Sequence, residues 1–254
     1  MTLLEAAAIL FAGLAAGTIN TVVGSGTLIT FPTLLAFGVP PVTANVSNTV
    51  GLVPGSISGA VGYRRELRGQ RGRIVRLSVA SLIGGTTGAI LLLVLPEGAF
   101  EAVVPVLIVL GCVLVVFQPR ISAWVARRHE AAGGLPEHGA WWVWPAVLLT
   151  GVYGGYFGAA QGVLLMAVMG IGIDETMQRL NGAKNVLAAL VNGVAGIIFV
   201  IVADVDWLVV VLIAAGAVIG GQVGATYGRR LPSAGLRALI VVVGIVALVF
   251  FLAG

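Results

Sequence analysis

The sequence has very few charged residues for its length. Of its 254 residues, 9% are Asp, Glu, Lys or Arg and 59% are hydrophobic, and the mean hydropathy is +1.08. A soluble domain carries about 25% charged and 45–50% apolar residues. This shortage excludes a water-soluble globular protein, and it excludes a disordered chain even more firmly. We therefore expect an integral membrane protein whose surroundings are the lipid bilayer.

Residues that carry chemistry are also scarce. Cys112 is the only cysteine, which excludes a disulfide, a redox pair and a cysteine-based metal site. The only histidines, His129 and His138, lie in the most polar segment, so neither a Ser–His pair nor a metal cluster is expected within the bilayer. The hydrophobic segments carry no Asp or Glu beyond their ends, where a proton relay would need one. These absences argue against an enzyme, a cofactor and a carboxylate relay.

Long apolar segments make up most of the chain. A membrane-spanning helix needs about 20 apolar residues, and segments of this kind lie at 3–37, 44–63, 77–95, 102–117, 141–171, 186–203, 207–227 and 239–252. A polar, arginine-containing stretch separates the fourth from the fifth. We therefore divide the chain into a first transmembrane repeat (1–118), a cytoplasmic linker (119–140) and a second transmembrane repeat (141–254).

The two halves resemble each other in sequence. The segments 83–96 (IGGTTGAILLLVLP) and 219–232 (IGGQVGATYGRRLP) share seven identities in 14 positions at an offset of 136. Gly26 and Gly162 keep that offset, and Asn48 and Asn185 depart from it by one residue. Coincidence in a sequence rich in Gly and Ala is the alternative. Because the matching elements come in the same order, we favour an internal duplication.

The arginines predict how each half is oriented, since positively charged loops stay in the cytoplasm. The densest basic loop, 64–76, precedes the segment 77–95, which would therefore leave the cytoplasm. Its copy, 207–227, is instead followed by three arginines and would end there. The halves are therefore predicted to be inverted. All 14 Lys and Arg then lie inside, and Glu5, Glu97, Glu101, Asp204 and Asp206 lie outside.

An inverted arrangement requires that the first segment of each half begins and ends on one side of the membrane. The segments 3–37 and 141–171 are too long for one simple span, and they contain the breaks Gly24–Gly26 and Gln161–Gly162. The predicted fold is an all-α polytopic membrane protein of two inverted repeats, each a glycine-broken helical hairpin followed by three transmembrane helices. The alternative of eight single spans would leave five basic residues outside.

Small polar residues near the breaks, with the chain's only lysine, are the candidates for a binding site. A broken helix exposes N–H groups at the positive end of the next half-helix, where inverted-repeat transporters bind anions. The candidates are Asn20, Ser25, Gly26, Asn48, Gln161, Gly162, Lys184 and Asn185. Close packing by the glycines and interhelical hydrogen bonds by the asparagines are the alternatives. Lys184 is expected at the cytoplasmic mouth, beside the start of a helix, where it binds the anion or extends to the lipid headgroups.

The stretch 17–67 resembles the start of the TauE/SafE-type sulfite and organosulfonate exporters. The match rests on the glycine-rich break, Pro32, the Gly38–Val39–Pro40 turn, the helix start Ala44–Asn48 and the ending Tyr63–Arg64–Arg65. In the second half, Gly162, Asn185 and the segment 219–232 resemble the family's second repeat. The resemblance covers nearly the whole chain, although Ser25 and Thr27 interrupt the three adjacent glycines that the family often has.

This resemblance implies a multi-pass exporter in the inner cell membrane. Its substrates would be small sulfur-containing anions such as sulfite, sulfoacetate or related organosulfonates, bound near the breaks at the interface of the repeats. The clustered arginines report topology rather than nucleic-acid binding. A channel-like or scaffold membrane protein, or a transporter of a different small anion, stays an alternative. The coupling ion and a homodimeric assembly stay open.

Cysteine labelling distinguishes the inverted arrangement from eight single spans. In a Cys112→Ala background, Gly98→Cys and Val205→Cys should react with an impermeant thiol reagent added outside intact cells, and Gly134→Cys should not. The reason is that the inverted arrangement places positions 98 and 205 outside the cell and position 134 in the cytoplasm. Labelling of position 205 only after permeabilisation would instead support eight single spans.

Overall fold

The computed structural model describes residues 1–131, 139–228 and 233–253, and within these ranges it contains helices and no strand. The helices are α1 (Leu3–Val22), α2 (Thr27–Ala36), α3 (Pro41–Gly62), α4 (Arg71–Val94), α5 (Glu97–Ala131), α6 (Val143–Tyr156), α7 (Gln161–Gly172), α8 (Met177–Val202), α9 (Trp207–Tyr227) and α10 (Ser233–Ala253). The predicted all-α class is confirmed.

Five of the described helices contain a stretch long and apolar enough to cross a membrane. These stretches are Leu3–Val22, Arg71–Val94, Gly98–Ile121, Met177–Val202 and Trp207–Tyr227. α3 has a similar length of 22 residues, but its buried residues include polar ones such as Asn45, Ser47 and Asn48. A helix this polar is stable in a bilayer only where other helices surround it.

The first long segment of each half consists of two helices. α1 ends at Val22 and the short helix α2 begins at Thr27, while α6 ends at Tyr156 and the short helix α7 begins at Gln161. The first break includes the predicted Gly24–Gly26, whereas the second lies at residues 157–160, just before the predicted Gln161–Gly162, which begin α7. The segments 3–37 and 141–171 are therefore not single helices, which contradicts the part of the eight-span alternative that treats them as such.

α3 and α8 form the centre of the bundle and run in opposite directions. Ser56 of α3 contacts Asn192 of α8, whereas Val53, earlier in α3, faces Gly196, later in α8. α9 packs on α3 and α1 packs on α9, while α4 packs on α8 and α6 packs on α4. One layer therefore consists of α1, α3 and α9, and the other of α4, α6 and α8. Each layer contains two helices of one half and one helix of the other half.

Close glycine contacts give the directions of the helices on one side of this pair. Gly13 and Gly17 of α1 face Ile213 and Ala217 of α9 in the same order, so these helices run the same way. Gly51 of α3 also faces Ile213, and the residue four positions later faces Ala217. α1, α3 and α9 therefore share one direction.

The two copies of the Ile-Gly-Gly sequence make corresponding contacts. A Cβ atom on Gly84 of α4 would meet the backbone of α6, and one on Gly220 of α9 would meet the backbone of α1. Their neighbours Gly85 and Gly221 face the central helices α8 and α3 respectively. The residues that match in sequence thus occupy matching places in the packing, as close helix contacts without a Cβ allow.

The basic loop 64–76 lies at one end of the bundle, and the acidic residues Glu101 and Asp204 lie at the other. Gln70, just before α4, donates a hydrogen bond to the carbonyl of Arg179 near the start of α8 (3.2 Å), so the basic loop and this helix start lie at one end. At the other end of α4, Glu101 and Asp204 line a cavity of about 240 Å³ together with Leu92. Which of these ends faces the cytoplasm stays a prediction.

The predicted linker begins inside a helix. α5 continues past Pro119 as far as Ala131, so only the later part of the stretch 119–140 connects helices. Residues 132–138, which include His138, and residues 229–232, which include Arg229 and Arg230, lie outside the described residues, as do the side chains of Glu97 and His129. The division into repeats stays a prediction.

Substitution of two helical glycines tests whether backbone contact holds the helices together. In Gly13→Ala, the new Cβ would lie 2.7 Å from the carbonyl oxygen and 2.9 Å from the Cα of Ile213, so α1 and α9 must separate. Overpacking of this kind costs about 1–3 kcal/mol, and the thermal unfolding temperature in detergent should fall. The matched control is Gly193→Ala, which meets nothing within 4 Å and gains helix propensity. Equal unfolding temperatures for the two variants would contradict the close α1–α9 contact.

Candidate functional site

The two breaks meet at the centre of the bundle. The N–H of Gly162, at the start of α7, donates a hydrogen bond to the carbonyl of Gly24, in the α1–α2 break (3.0 Å). A Cβ atom on either glycine would collide with the Cα of the other. Gly24 has φ +89°, and Ala160, 136 residues later, also has a positive φ of 59°. The two backbones can approach this closely only because neither Gly24 nor Gly162 carries a side chain.

Asn20 and Asn48 hold the beginning of α2. The N–H of Gly26 donates to Oδ1 of Asn20 (2.8 Å). Nδ2 of Asn48 donates to the hydroxyl of Thr27 (3.4 Å), and its Oδ1 accepts from the hydroxyl of Thr30. Gly26 itself packs against the backbone of α1. Asn20, Gly26 and Asn48 therefore have structural partners, as the packing alternative proposes. Of the three, only Asn20 lines the cavity described below.

Ser25 and Gln161 carry buried polar atoms that have no hydrogen-bond partner. They lie 136 residues apart, at corresponding positions just before α2 and at the start of α7, and they are 0% and 4% exposed. Oγ of Ser25 and Nε2 of Gln161 are both unpaired. An unpaired buried polar atom costs about 1–3 kcal/mol. A ligand that accepted hydrogen bonds from these groups would remove that cost.

Lys184 is completely buried, and its ammonium binds the end of α1. Its Nζ donates to the carbonyls of Asn20 (2.9 Å) and Thr21 (3.2 Å). Because these carbonyls belong to the last turn of α1, the negative end of the helix dipole favours the charge. Within the part of the chain that the structure describes, no carboxylate lies within 4 Å of Nζ.

This position of Lys184 corrects the prediction from the sequence. The side chain neither extends to the headgroups nor lies in a wet cytoplasmic mouth, and Lys184 does not lie at the start of its own helix. The reason is that α8 begins at Met177, so Lys184 is two turns inside the helix and faces the bundle rather than its end.

Asparagines from the central helices bind the carbonyl ends of α1 and α6. Asn181 and Asn185 donate to the carbonyl of Thr21, at 3.2 and 3.4 Å. Asn45, which precedes Asn181 by 136 residues, donates to the carbonyl of Tyr156 at the end of α6 (2.9 Å). The same solution to the unpaired carbonyls of a broken helix thus occurs in both halves.

The predicted site residues surround one small internal cavity. Its lining consists of Asn20, Thr21, Gly24, Thr27, Ser56, Gly158, Gln161, Gly162, Lys184, Asn185, Ala188 and Asn192. Its volume of about 20 Å³ holds about one water molecule. Five of the eight predicted residues line it, and Ser25, Gly26 and Asn48 lie behind it. A cavity of this size is too small for an oxyanion, and the binding role of these residues stays a prediction.

Ser56 and Asn192 line the cavity, but reasoning from the sequence did not find them. Nδ2 of Asn192 donates to Oγ of Ser56 across the α3–α8 contact (3.1 Å). Two signals were present: the residues are separated by 136 positions, and Asn192 follows Asn185 by seven, which places both on one helix face.

An ion cluster joins the two halves at the basic end of the bundle. Glu175, in the α7–α8 connection, accepts from Arg73 (3.3 Å) and from Arg179 (2.9 Å), and from the N–H of Thr176 (3.0 Å). Partial burial raises the pKa of the Glu175 carboxyl, but these donors outweigh it and hold the pKa below its usual value. The cluster links α4 to the start of α8.

A sequence model described as "Sulfite exporter TauE/SafE" matches residues 9–251. The chain belongs to the TauE/SafE family. Among similar proteins is the "Probable membrane transporter protein ORF9" of Sinorhizobium sp, which is 26% identical over 94% of this chain and 88% of its own length. The "Probable membrane transporter protein YfcA" of Escherichia coli K12 is 24% identical over 93% and 85%.

A "Probable membrane transporter protein" of Haemophilus influenzae is 23% identical over 92% of this chain and 90% of its own length. No solved structure matches the chain. The resemblance inferred from the break and the repeated glycines is therefore confirmed. Together with its apolar helices, the family places the chain among the multi-pass membrane transporters.

The Glu175 cluster predicts a pH dependence of stability. A carboxyl whose pKa is lowered by folding stabilises the protein above its unfolded pKa, near 4.5, and loses that contribution as the pH falls through the folded pKa. Glu175→Gln should therefore lower the unfolding temperature slightly at pH 7, since ion pairs near the protein surface contribute about 1 kcal/mol or less. The difference from the parent should decrease as the pH falls below 4.5 and should be lost once the pH lies below the folded pKa. A difference that is independent of pH would mean that the carboxylate charge is not what joins the halves.

Proposed function

We propose that this transporter exports small sulfur-containing anions, such as sulfite or organosulfonates, from the cytoplasm across the inner membrane. The observation that carries the proposal is the buried ammonium of Lys184, which has two carbonyl partners and no carboxylate within 4 Å among the described residues. A buried charge is costly unless an opposite charge compensates it. A bound anion in the adjoining cavity would supply that charge.

The unpaired donors support a ligand of the same kind. Nε2 of Gln161 belongs to the cavity lining, and Oγ of Ser25 lies at the corresponding position of the other break. Both begin half-helices of ten residues or more, whose N-terminal ends favour negative charge. An oxyanion accepts hydrogen bonds on each oxygen, so one ligand in the cavity could pair with the ammonium of Lys184 and with Nε2 of Gln161.

We infer that the two halves form inverted repeats. The directions of the helices support this inference: α1, α3 and α9 run one way, whereas α8 runs the opposite way and α4 and α8 begin at the same end. Corresponding helices of the two halves, α3 with α8 and α4 with α9, then run in opposite directions. Inverted repeats commonly allow a site at their interface to open to either side in turn.

Export of an anion needs no proton relay. An anion that leaves a negatively charged cell interior gains about 2.3 kcal/mol per charge per 100 mV. This agrees with hydrophobic segments that lack internal carboxylates.

Replacement of Lys184 tests the proposed site. Lys184→Gln removes the charge and keeps a donor for the α1 carbonyls. The half-saturating internal sulfite concentration in efflux from proteoliposomes should rise about tenfold or more, since hydrogen bonds to charged groups contribute about 1.5–3 kcal/mol and 1.4 kcal/mol is tenfold. Lys184→Arg should recover part of the loss, because the guanidinium keeps the charge but needs more space.

The salt dependence provides the control. Because Lys184 is buried, the loss should persist at high salt, whereas any effect of Arg65→Gln in the exposed basic loop should decline.

Superimposable curves for Lys184→Gln and the parent would remove Lys184 from the site. A parent protein without saturable efflux or exchange of labelled sulfite would overturn the export proposal and favour a channel-like or scaffold protein, or another anion.

A further inference from the structure

We propose that Ser56 and Asn192 set the size limit of the site, so that it accepts a bare inorganic oxyanion such as sulfite and excludes sulfonates that carry an organic tail. This inference rests on the proposed function. It chooses between the two substrate classes that the proposed function leaves open, and it assigns the choice to a pair of residues on the central helices.

The chemistry of the cavity wall is the first argument. Ala188 is the only lining residue with a wholly apolar side chain; every other lining position is a glycine or carries a hydroxyl, amide or ammonium group. Sites that bind organic groups are lined mainly by apolar and aromatic side chains. A methyl or methylene group in this cavity would displace hydration from polar groups and would return no hydrogen bond to them.

The arrangement along α8 is the second argument. Lys184, Ala188 and Asn192 line the cavity in this order along α8, so an anion that paired with Lys184 and extended along the helix would meet Ala188 and then Asn192. Asn192 lies eight residues beyond Lys184, which is about 12 Å along the helix. There its amide binds Oγ of Ser56 and joins α8 to α3 (3.1 Å). An organic tail would have to occupy the space that this hydrogen-bonded pair fills.

No space lies immediately behind the pair. One turn further along α8, a Cβ atom on Gly196 would already lie 3.2 Å from a methyl group of Val53. The cavity therefore cannot lengthen in this direction without separation of α3 and α8. Shortening the side chain at position 192, by contrast, creates room beside the cavity and leaves the α3–α8 backbone contact in place.

Competition in proteoliposomes tests the proposal with defined probes. Efflux of labelled sulfite is measured with unlabelled sulfite, methanesulfonate or sulfoacetate as competitor, for the parent, Asn192→Ala, Asn192→Ser and Gly193→Ala. In the parent, the half-inhibitory concentration of methanesulfonate should exceed that of sulfite about tenfold or more, because its methyl group would displace hydration from the polar lining and return no hydrogen bond to it. Asn192→Ala should reduce this ratio to about threefold or less. Gly193→Ala, whose Cβ meets nothing within 4 Å, should keep the parent's ratio.

The possible failures are distinguishable. If methanesulfonate inhibits sulfite efflux by the parent as strongly as unlabelled sulfite does, the size limit is wrong. Export of sulfur-containing anions would still stand. The same holds if the ratio is unchanged in both folded variants at position 192. Asn192→Ser retains a donor and provides this test where Asn192→Ala does not fold. If the parent transports neither anion in a saturable way, the proposed function itself fails.

Discussion

The contact between the two helix breaks is the constraint on which the rest of the structure depends. The hydrogen bond from Gly162 to Gly24 joins the non-helical backbone of the first break to the start of α7 at the centre of the bundle. Irregular backbone at membrane depth is stable only where protein or enclosed water satisfies it. Here each break supplies part of what the other needs, and asparagines of α3 and α8 bind the carbonyls that remain. The polar character of the two central helices follows from this requirement.

Lys184 fits the same scheme. The last carbonyls of α1 have no partner within their own helix because the chain turns away at Gly24. The ammonium of Lys184 takes two of these carbonyls, so a charge that would be expensive elsewhere in the bundle is stabilised by the helix end. Carbonyl groups carry only partial charges, however, and a net positive charge remains beside the cavity. The broken helix therefore holds the lysine, and under the proposed function it leaves the charge available to an anion.

The fold class and the places of the breaks could be predicted from the sequence, because apolar segment length and glycine-rich breaks are local signals. The predicted repeat agrees with the packing at Gly84–Gly85 and Gly220–Gly221, whose lack of a Cβ is needed in both segments for close helix contact. The depth of Lys184 was predicted wrongly because it depends on where α8 begins. Thr176 is a residue type that favours the N-cap, but the apolar segment used to place the helix begins only at residue 186. Ser56 and Asn192 were missed for another reason: neither is unusual alone, and only the contact of α3 with α8 makes them a pair.

The correspondence between the two halves does not extend to the charge of Lys184, because the matching position in the first half is an uncharged asparagine. Positions 136 residues apart bear similar groups at Asn45 and Asn181, at Ser56 and Asn192, and at the unpaired Ser25 and Gln161. At the same offset Lys184 corresponds to Asn48, which binds the threonines at the start of α2 instead of a helix end. The cavity between the matching halves is thus lined by one cation, among the described residues. Under the proposed function, one cation would compensate one negative charge of the substrate. If the matching halves allow the site to open in either direction, the single lysine would make the two approaches to the cavity electrostatically unequal and would give them different affinities for an anion.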